Sequence, residues 1–124
     1  MTAEFTLEIP RHWLLTANQR GHWRRRAERT ATLRWAARHA AVTTGAQPMN
    51  RARCTVLIHW PDRRRRDAHN ITPTIKAAID GVVDAGLLPD DDDTHLTGPD
   101  LRVSPHLCDK RYACTLHFRF EPIP

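Results

Sequence analysis

The stretch CTVLIHWPDRRRRDAHNITPTIKAAIDGVVDAG, residues 54–86, decides the fold because it places a strand, a charged loop and a helix in succession. Its first seven residues, 54–60, are rich in β-branched and aromatic side chains and are followed by proline, which predicts a strand near the centre of a sheet. Thr72 and Pro73 have the form of an N-cap followed by proline at the first helical position, and the dipeptide Ala-Gly ends the pattern. The sequence therefore predicts a helix near 73–85.

Further strands are predicted on both sides of this stretch. Phe5, Leu7 and Ile9 alternate with polar residues and stop at Pro10, which predicts a short N-terminal strand covered on one face. After the helix, shorter β-like segments are predicted at 95–97, 101–104 and 113–120. The last of these has apolar residues at every second position, as expected of a strand with one face in the core.

An additional helix is predicted over about 23–41, an Ala- and Arg-rich stretch that contains neither glycine nor proline. The apolar stripe of this helix is expected to comprise Ala27, Ala31, Leu33 and Trp35. The resulting order of elements is β-α-β-α-β-β-β. This order predicts the α+β class, as a single small domain over residues 1–124 in which two main helices pack on a mixed sheet.

The charged residues are distributed unevenly along the chain. The formal net charge is +5, but residues 1–66 carry 14 arginines and four acidic residues, whereas residues 67–124 carry five basic and ten acidic residues. A basic half suits a polyanion such as nucleic acid. An acidic half next to it would repel that polyanion unless the carboxylates face away or hold a cation.

Cysteine usage and hydropathy indicate the compartment. The three cysteines, Cys54, Cys108 and Cys114, are odd in number and form no Cys-x-x-Cys pair, which argues against a disulfide framework and a structural zinc site. No apolar run approaches the ~20 residues of a membrane span, and the N-terminus lacks the charge order of a signal peptide. A soluble, cytoplasmic protein without a membrane partner is expected.

Candidate metal ligands occur at both ends of the helix near 73–85. Asp67 and His69 precede it, and four consecutive aspartates, residues 90–93, follow it. Adjacent carboxylates repel one another, and a divalent cation bound through oxygen would relieve that repulsion. A solvated acidic turn is the alternative interpretation, and a lone histidine in a loop is usually neither a ligand nor a base.

Basic residues lie beside these carboxylates. Arg63–Arg66 could clamp phosphates next to Asp67, and Lys76 could neutralise charge at a scissile phosphate, as metal-assisted hydrolysis requires. The alternatives are a solvated loop and a surface lysine paired with Asp80. A helix of about 13 residues is ~20 Å long, so the two acidic groups can meet only if the chain folds back after Gly86.

The segment PDRRRRDAHN…KAAIDGVVDAGLLPDDDDTHL resembles the RusA family of Holliday-junction resolvases. In that family an Arg-rich loop leads to an Asp-x-Asp-Asn motif, then to Lys-Ala-x-x-Asp, Ala-Gly and paired aspartates. The resemblance covers about residues 58–120 and extends weakly to Thr16-Ala17-Asn18, which is similar to the family's Ser-x-Asn. Two features differ, because His69 occupies the place of the second aspartate and the spacing from Asn70 to Lys76 is three residues longer.

The resemblance implies roles for the matching residues. Its implied catalytic residues are Asp67, Lys76 and Asp91. Its implied ligands, for Mg²⁺ or alternatively Mn²⁺, are Asp67, His69, Asp90 and Asp91. Its implied DNA-binding residues are Arg63, Arg64, Arg65, Arg66, Asn70 and Asn18.

The resemblance also implies an activity and its partners. A homodimeric, Mg²⁺-dependent endonuclease is expected, which resolves four-way DNA junctions by paired symmetric nicks in recombination and repair. Four-way or branched DNA is the expected partner, and its approximate two-fold symmetry suits two copies of the chain. The alternatives are a non-catalytic junction-binding protein that has lost its full metal site through His69, and a nuclease for flaps or forks.

Overall fold

A computed structural model describes residues 1–18 and 21–124 and contains, within those residues, four strands, two α-helices and two short 3-10 turns. The strands are β1 Ala3–Pro10, β2 Ala52–His59, β3 Leu96–Val103 and β4 Tyr112–Pro122. The helices are α1 Trp23–Thr43 and α2 Thr72–Asp84, and the 3-10 turns span Arg11–Trp13 and Ala68–Ile71. The two helices pack on one mixed sheet, so the predicted α+β class is confirmed.

The strand order in the sheet is β1-β4-β2-β3. β4 is antiparallel to both of its neighbours, and β2 is parallel to β3. β2 therefore lies inside the sheet, as the run CTVLIHW predicts. The buried residues alternate along the strands, and Phe5 on β1 stacks on Phe118 of β4 with ring centroids 5.0 Å apart. This alternation directs one face of the sheet towards the helices.

The first two predicted β segments after α2 are parts of one strand, β3. The Gly-Pro pair in its middle interrupts the β pattern, yet pairing with β2 continues after a shift of register between Arg53 and Thr55. Gly98 allows this shift because its φ is +100° and because a Cβ at this position would lie 2.6 Å from the carbonyl oxygen of Cys54.

The predicted apolar stripe of α1 is wrong in three of its four members. Leu33 is buried, but Ala27, Ala31 and Trp35 are exposed, and the buried stripe consists of Leu33, Ala37 and Ala41. Ala27, Ala31 and Trp35 have helical spacing, as do Leu33, Ala37 and Ala41, and alanine is compatible with either face. The contact with α2, which requires small side chains, selects the second stripe.

α1 and α2 approach each other closely at Gly81. A Cβ atom at this position would lie 2.1 Å from the carbonyl oxygen of Arg34 and 3.0 Å from the Cβ of Ala37. Ile75, Ile79 and Val82 of α2 are buried in the core that both helices share with the sheet. Only glycine therefore allows α1 to lie across α2 at this distance.

Two of the three cysteines belong to this core. Cys54 on β2 and Cys114 on β4 are completely buried, and burial raises the pKa of each thiol to about 12. These thiols stay protonated at neutral pH and serve as small apolar side chains.

Within the described residues, no helix combines the length and the apolar character needed to cross a bilayer.

Gly81→Ala is expected to destabilise the protein by about 3 kcal/mol or more, although alanine favours a helix by ~1 kcal/mol over glycine. The added methyl group must push α1 away, because the atom that it meets belongs to the backbone. Urea unfolding measures the free energy of unfolding. Gly21→Ala is the control, since a Cβ there meets nothing within 4 Å, and an equal effect of both substitutions would refute the close crossing.

Candidate functional site

The turn Ala68–Ile71, which leads directly into α2, presents the first group of predicted site residues. The Asp67 side chain caps this turn, with its Oδ1 accepting a hydrogen bond from the backbone N–H of His69 at 3.0 Å. The backbone N–H of Asn70 donates to the carbonyl oxygen of Asp67, also at 3.0 Å. Asp67 and His69 are both exposed, so the turn holds them towards solvent at the N-terminal end of α2.

The segment 14–18 lies against this turn. The N–H of Ala17 donates to the carbonyl oxygen of Asn70 at 2.8 Å. The Thr74 hydroxyl accepts from the N–H of Leu15 at 2.8 Å and donates to its carbonyl oxygen at 2.7 Å. Asn18, the weakest of the predicted DNA contacts, is exposed next to this junction.

Thr74 is a residue whose importance sequence reasoning missed. It is fully buried, and both of its hydrogen bonds tie the N-terminal segment to α2. A polar side chain among the apolar positions of a helix was the available signal, because a buried hydroxyl needs partners.

Lys76, one turn into α2, lies between two carboxylates. Its ammonium donates to Oδ1 of Asp80 at 2.6 Å and to Oδ2 of Asp91. Asp80 was predicted only as the partner of a surface lysine, and the structure shows it and Asp91 on the same ammonium. The spacing of four residues on a helix was the signal for Asp80, whereas the contact with Asp91 depends on the path of the chain after α2.

The chain folds back after α2 and thereby brings Asp91 of the acidic run to Lys76. Gly86 has a φ of +83°, and the N–H of Leu87 donates to the carbonyl oxygen of Val82 at 3.3 Å, which closes the helix end. Leu87 and Leu88 are buried, and the carbonyl oxygen of Leu87 accepts from the N–H of Met49 at 2.8 Å. These contacts return the chain to the first turn of α2.

The four consecutive aspartates have different surroundings. Oδ1 of Asp90 accepts from the N–H of Asp91 at 2.7 Å, while the Asp91 carboxylate receives Lys76. Oδ1 of Asp92 accepts from the backbone N–H groups of Thr94 and His95, each at 3.1 Å. Asp93 is exposed, and no partner is found for it in the described part of the chain. The run is therefore built from distinct local contacts.

The ion pair between Lys76 and Asp91 shifts the pKa of both groups. The hydrogen bond from Lys76 lowers the pKa of the Asp91 carboxyl, against the opposing effect of partial burial. Partial burial works to lower the pKa of Lys76, but its hydrogen bonds to Asp80 and Asp91 outweigh this and raise it. Both groups are therefore held in their charged forms at neutral pH.

The Arg-rich segment divides into one anchored side chain and three exposed ones, of which Arg64 has its Nη2 3.8 Å from Oδ2 of Asp62. Arg63, Arg64 and Arg65 are exposed. Arg66 is half-buried, its guanidinium lies 4.8 Å from the centroid of the Trp60 ring, and its Nη1 lies 2.8 Å from Oδ1 of Asp62. That hydrogen bond from Arg66 lowers the pKa of Asp62. Arg66 thus fixes the base of the loop.

Asp62 also shapes this loop. The second hydrogen bond that Asp62 accepts comes from the N–H of Arg64 at 3.0 Å. The only feature of the sequence that indicated a structural role for Asp62 was its position after a proline, which is typical of a turn.

The oxygen-rich donor set suits a hard cation such as Mg²⁺. In this structure the cation between Asp80 and Asp91 is the ammonium group of Lys76. Across residues 1–18 and 21–124, no three His, Cys, Asp or Glu side chains lie together as a metal-binding group. The structure therefore joins Lys76 to Asp91 and Asp67 to His69, without a completed set of ligands.

No protein-family model matches the chain, and no curated protein is significantly similar to it. The functional assignment therefore depends on the residues and their geometry.

Lys76→Met is expected to raise the pKa of Asp91 towards the ~3.9 of an isolated aspartate, because the substitution removes the hydrogen-bonding cation. Carboxyl chemical shifts followed by NMR titration in EDTA measure this pKa. Lys110→Met is the control, since Lys110 is the only other lysine and its ammonium is exposed. An unchanged Asp91 pKa in Lys76→Met would show that the ion pair does not form in solution.

The same substitution is expected to have a pH-dependent effect on stability. Because the folded-state pKa of Asp91 is lowered, its contribution is fully present above the unfolded value near ~3.9 and is lost as pH falls through the folded value. Lys76 is mostly exposed, so the loss at neutral pH should be about 1 kcal/mol or less. Urea unfolding should show the difference from wild type shrinking in acid.

Proposed function

We propose that the chain is a metal-dependent endonuclease that acts on branched DNA, with the four-way junction as its preferred substrate. The observation that carries the proposal is the grouping at the N-terminal end of α2: exposed arginines, the Asp67 turn, and Lys76 held between Asp80 and Asp91. Cations that bind a phosphodiester lie there beside carboxylates that suit a divalent metal. The resemblance to the RusA family supports the same assignment.

The arginine segment would bind the DNA backbone. Arg63, Arg64 and Arg65 are exposed, and the ion pair of Arg64 with Asp62 spans 3.8 Å, so their guanidinium groups can reach phosphate oxygens. Contacts of this kind position a duplex without reading its bases, which suits recognition of branched shape. Asn70 and Asn18, on the adjoining turn and segment, would add polar contacts to the same backbone.

Lys76 would stabilise negative charge that develops at the scissile phosphate. Its side chain is more than half exposed, so the remaining N–H of its ammonium can point towards an incoming oxygen while Asp80 and Asp91 hold the side chain in place. Its raised pKa keeps it protonated at neutral pH, as this role requires.

Asp67, Asp90 and Asp91, with His69, would hold the cofactor, Mg²⁺ or Mn²⁺. When bound, such a cation polarises the phosphate and lowers the pKa of a bound water. Imidazole is a softer ligand than carboxylate, so coordination by His69 would favour Mn²⁺ relative to Mg²⁺. Two symmetric nicks need two active sites, and a homodimer would supply them.

Asp67→Asn and Asp91→Asn are each expected to lower the rate of junction cleavage by at least about 100-fold and to leave junction binding equal or tighter. Each substitution removes one negatively charged carboxylate, which would bind the metal ion and which also repels the phosphates of the DNA. The measurements are cleavage of a synthetic four-way junction in Mg²⁺ and binding of the same junction in Ca²⁺ by gel shift.

Asp93→Asn is the matched control, because Asp93 belongs to the same acidic run and is exposed. It should cut at the wild-type rate. If Asp67→Asn or Asp91→Asn also cut at that rate, the assigned site would be wrong, and a wild-type protein that binds junctions without cutting them would favour the non-catalytic alternative. Preferential cutting of flaps or forks would redirect the substrate assignment.

Replacing Arg64 and Arg65 with alanine is expected to weaken junction binding and to flatten its dependence on salt. Each lost phosphate contact should reduce the slope of log K against log salt concentration by about 0.9. Titrations at several salt concentrations measure this slope. Arg102→Ala is the control, because Arg102 is exposed on β3 and already paired with Asp100 at 3.0 Å; equal slopes for all variants would mean a solvated loop without DNA contacts.

A further inference from the structure

The outward face of α1 carries an aromatic side chain that the fold does not use. Trp35 is 64% exposed, while Leu33 and Ala37, two residues before and after it, are completely buried. Residues two apart point to nearly opposite sides of a helix, so Trp35 lies on the side of α1 farthest from the core. Its exposure is therefore a consequence of register, and the indole is not part of the core.

The neighbours of Trp35 form a shallow groove on the surface of α1. Its lining residues are Trp35, Arg38, His39 and Val42. The His39 imidazole stacks on the indole with ring centroids 5.6 Å apart and an angle of 9° between the planes. Val42 is 60% exposed at the end of the groove. The groove thus combines a pre-oriented aromatic plane, an apolar wall and a guanidinium.

The charge of α1 selects the kind of partner. Residues 23–43 include six arginines and one glutamate. A second copy of this helix would bring six more arginines against the first six, and that contact is electrostatically unfavourable. A polyanion meets the opposite situation, and nucleic acids combine negative charge with flat bases that stack on tryptophan.

The groove also adjoins the helix that carries the proposed active site. Arg34 binds Asp84 of α2, with Nη2 2.8 Å from Oδ1, and Arg38 is close enough to help lower the pKa of the same carboxyl. Asp84 lies two helical turns after Lys76 on α2. The groove therefore lies on a helix that is joined directly to α2 by an ion pair.

We infer that the groove formed by Trp35, Arg38, His39 and Val42 is a second nucleic-acid contact, in which an unpaired base stacks on Trp35 and Arg38 contacts the adjoining phosphate. The inference rests on the proposed function only in taking DNA as the polyanion. It adds a contact for unpaired nucleotides, such as those at the centre of a branch, to a site that otherwise binds backbone alone.

The test measures binding of a fluorescein-labelled oligothymidylate of about 16 nucleotides by fluorescence anisotropy in EDTA, where no cleavage occurs. Trp35→Ala should weaken binding by about 5- to 100-fold, and Trp35→Phe should restore most of it, because phenylalanine keeps a stacking surface. Trp23→Ala is the control. Trp23 is 69% exposed, but it points in a direction that differs from that of Trp35 by about a third of a turn around the axis of α1, and Arg24 lies over its ring.

A parallel titration with heparin separates stacking from charge. Heparin has no bases, so Trp35→Ala should bind it like the wild type. Arg38→Ala should weaken the binding of both heparin and oligothymidylate. The inference would be overturned if Trp35→Ala bound oligothymidylate as tightly as the wild type, or if Trp23→Ala and Trp35→Ala lost equal affinity for it. It would also be overturned if Trp35→Ala lost as much affinity for heparin as for oligothymidylate. A fall in molar mass by light scattering in Trp35→Ala would overturn it as well, since the groove would then be an interface between copies.

This design distinguishes the groove from the nuclease. If the protein cuts no junction but binds oligothymidylate through Trp35, the proposed activity fails and the contact stands. If junctions are cut and Trp35→Ala binds normally, the activity stands and the contact fails.

Discussion

The close crossing of α1 over α2 at Gly81 is the constraint on which the rest of the structure depends. Because the backbone of Arg34 occupies the space of a Cβ, α1 has one rotational setting on α2. That setting buries Leu33, Ala37 and Ala41 and turns Trp35 outward. The apolar side of α2 packs in the same core as the sheet, so the crossing and the core together hold α2 in place.

Charged chemistry concentrates at the N-terminal end of α2 because three chain segments converge there. The loop from β2 delivers Asp67, segment 14–18 is held by Thr74, and the chain after Gly86 returns Asp91 to Lys76. Arg66 anchors the loop from β2 through Asp62 and Trp60, and buried Leu87 and Leu88 anchor the chain after Gly86, while the exposed tips carry charge. Rigid supports with free polar tips are what a site for a charged ligand needs.

The basic and acidic halves of the sequence meet where Arg34 of the first half binds Asp84 of the second. Two other ion pairs form within one half: Arg66 binds Asp62, and Lys76 neutralises part of the acidic run. Arg63–Arg65 remain exposed, as does the outward side of α1. The fold thus separates arginines that hold the structure together from arginines available to a polyanion, a distinction that composition alone does not make.

Local pattern alone determined the strands, the helices and the α+β class, because alternation, caps and proline act within a few residues. It also placed Asp67 and Lys76 at one helix end, since they are close in sequence. Tertiary structure decided which stripe of α1 is buried, that two β segments form one β3, and that Asp91 reaches Lys76. These depend on the space left at Gly81 and Gly98 and on a chain reversal anchored by Leu87, and contacts between distant residues leave no periodic signal in the sequence.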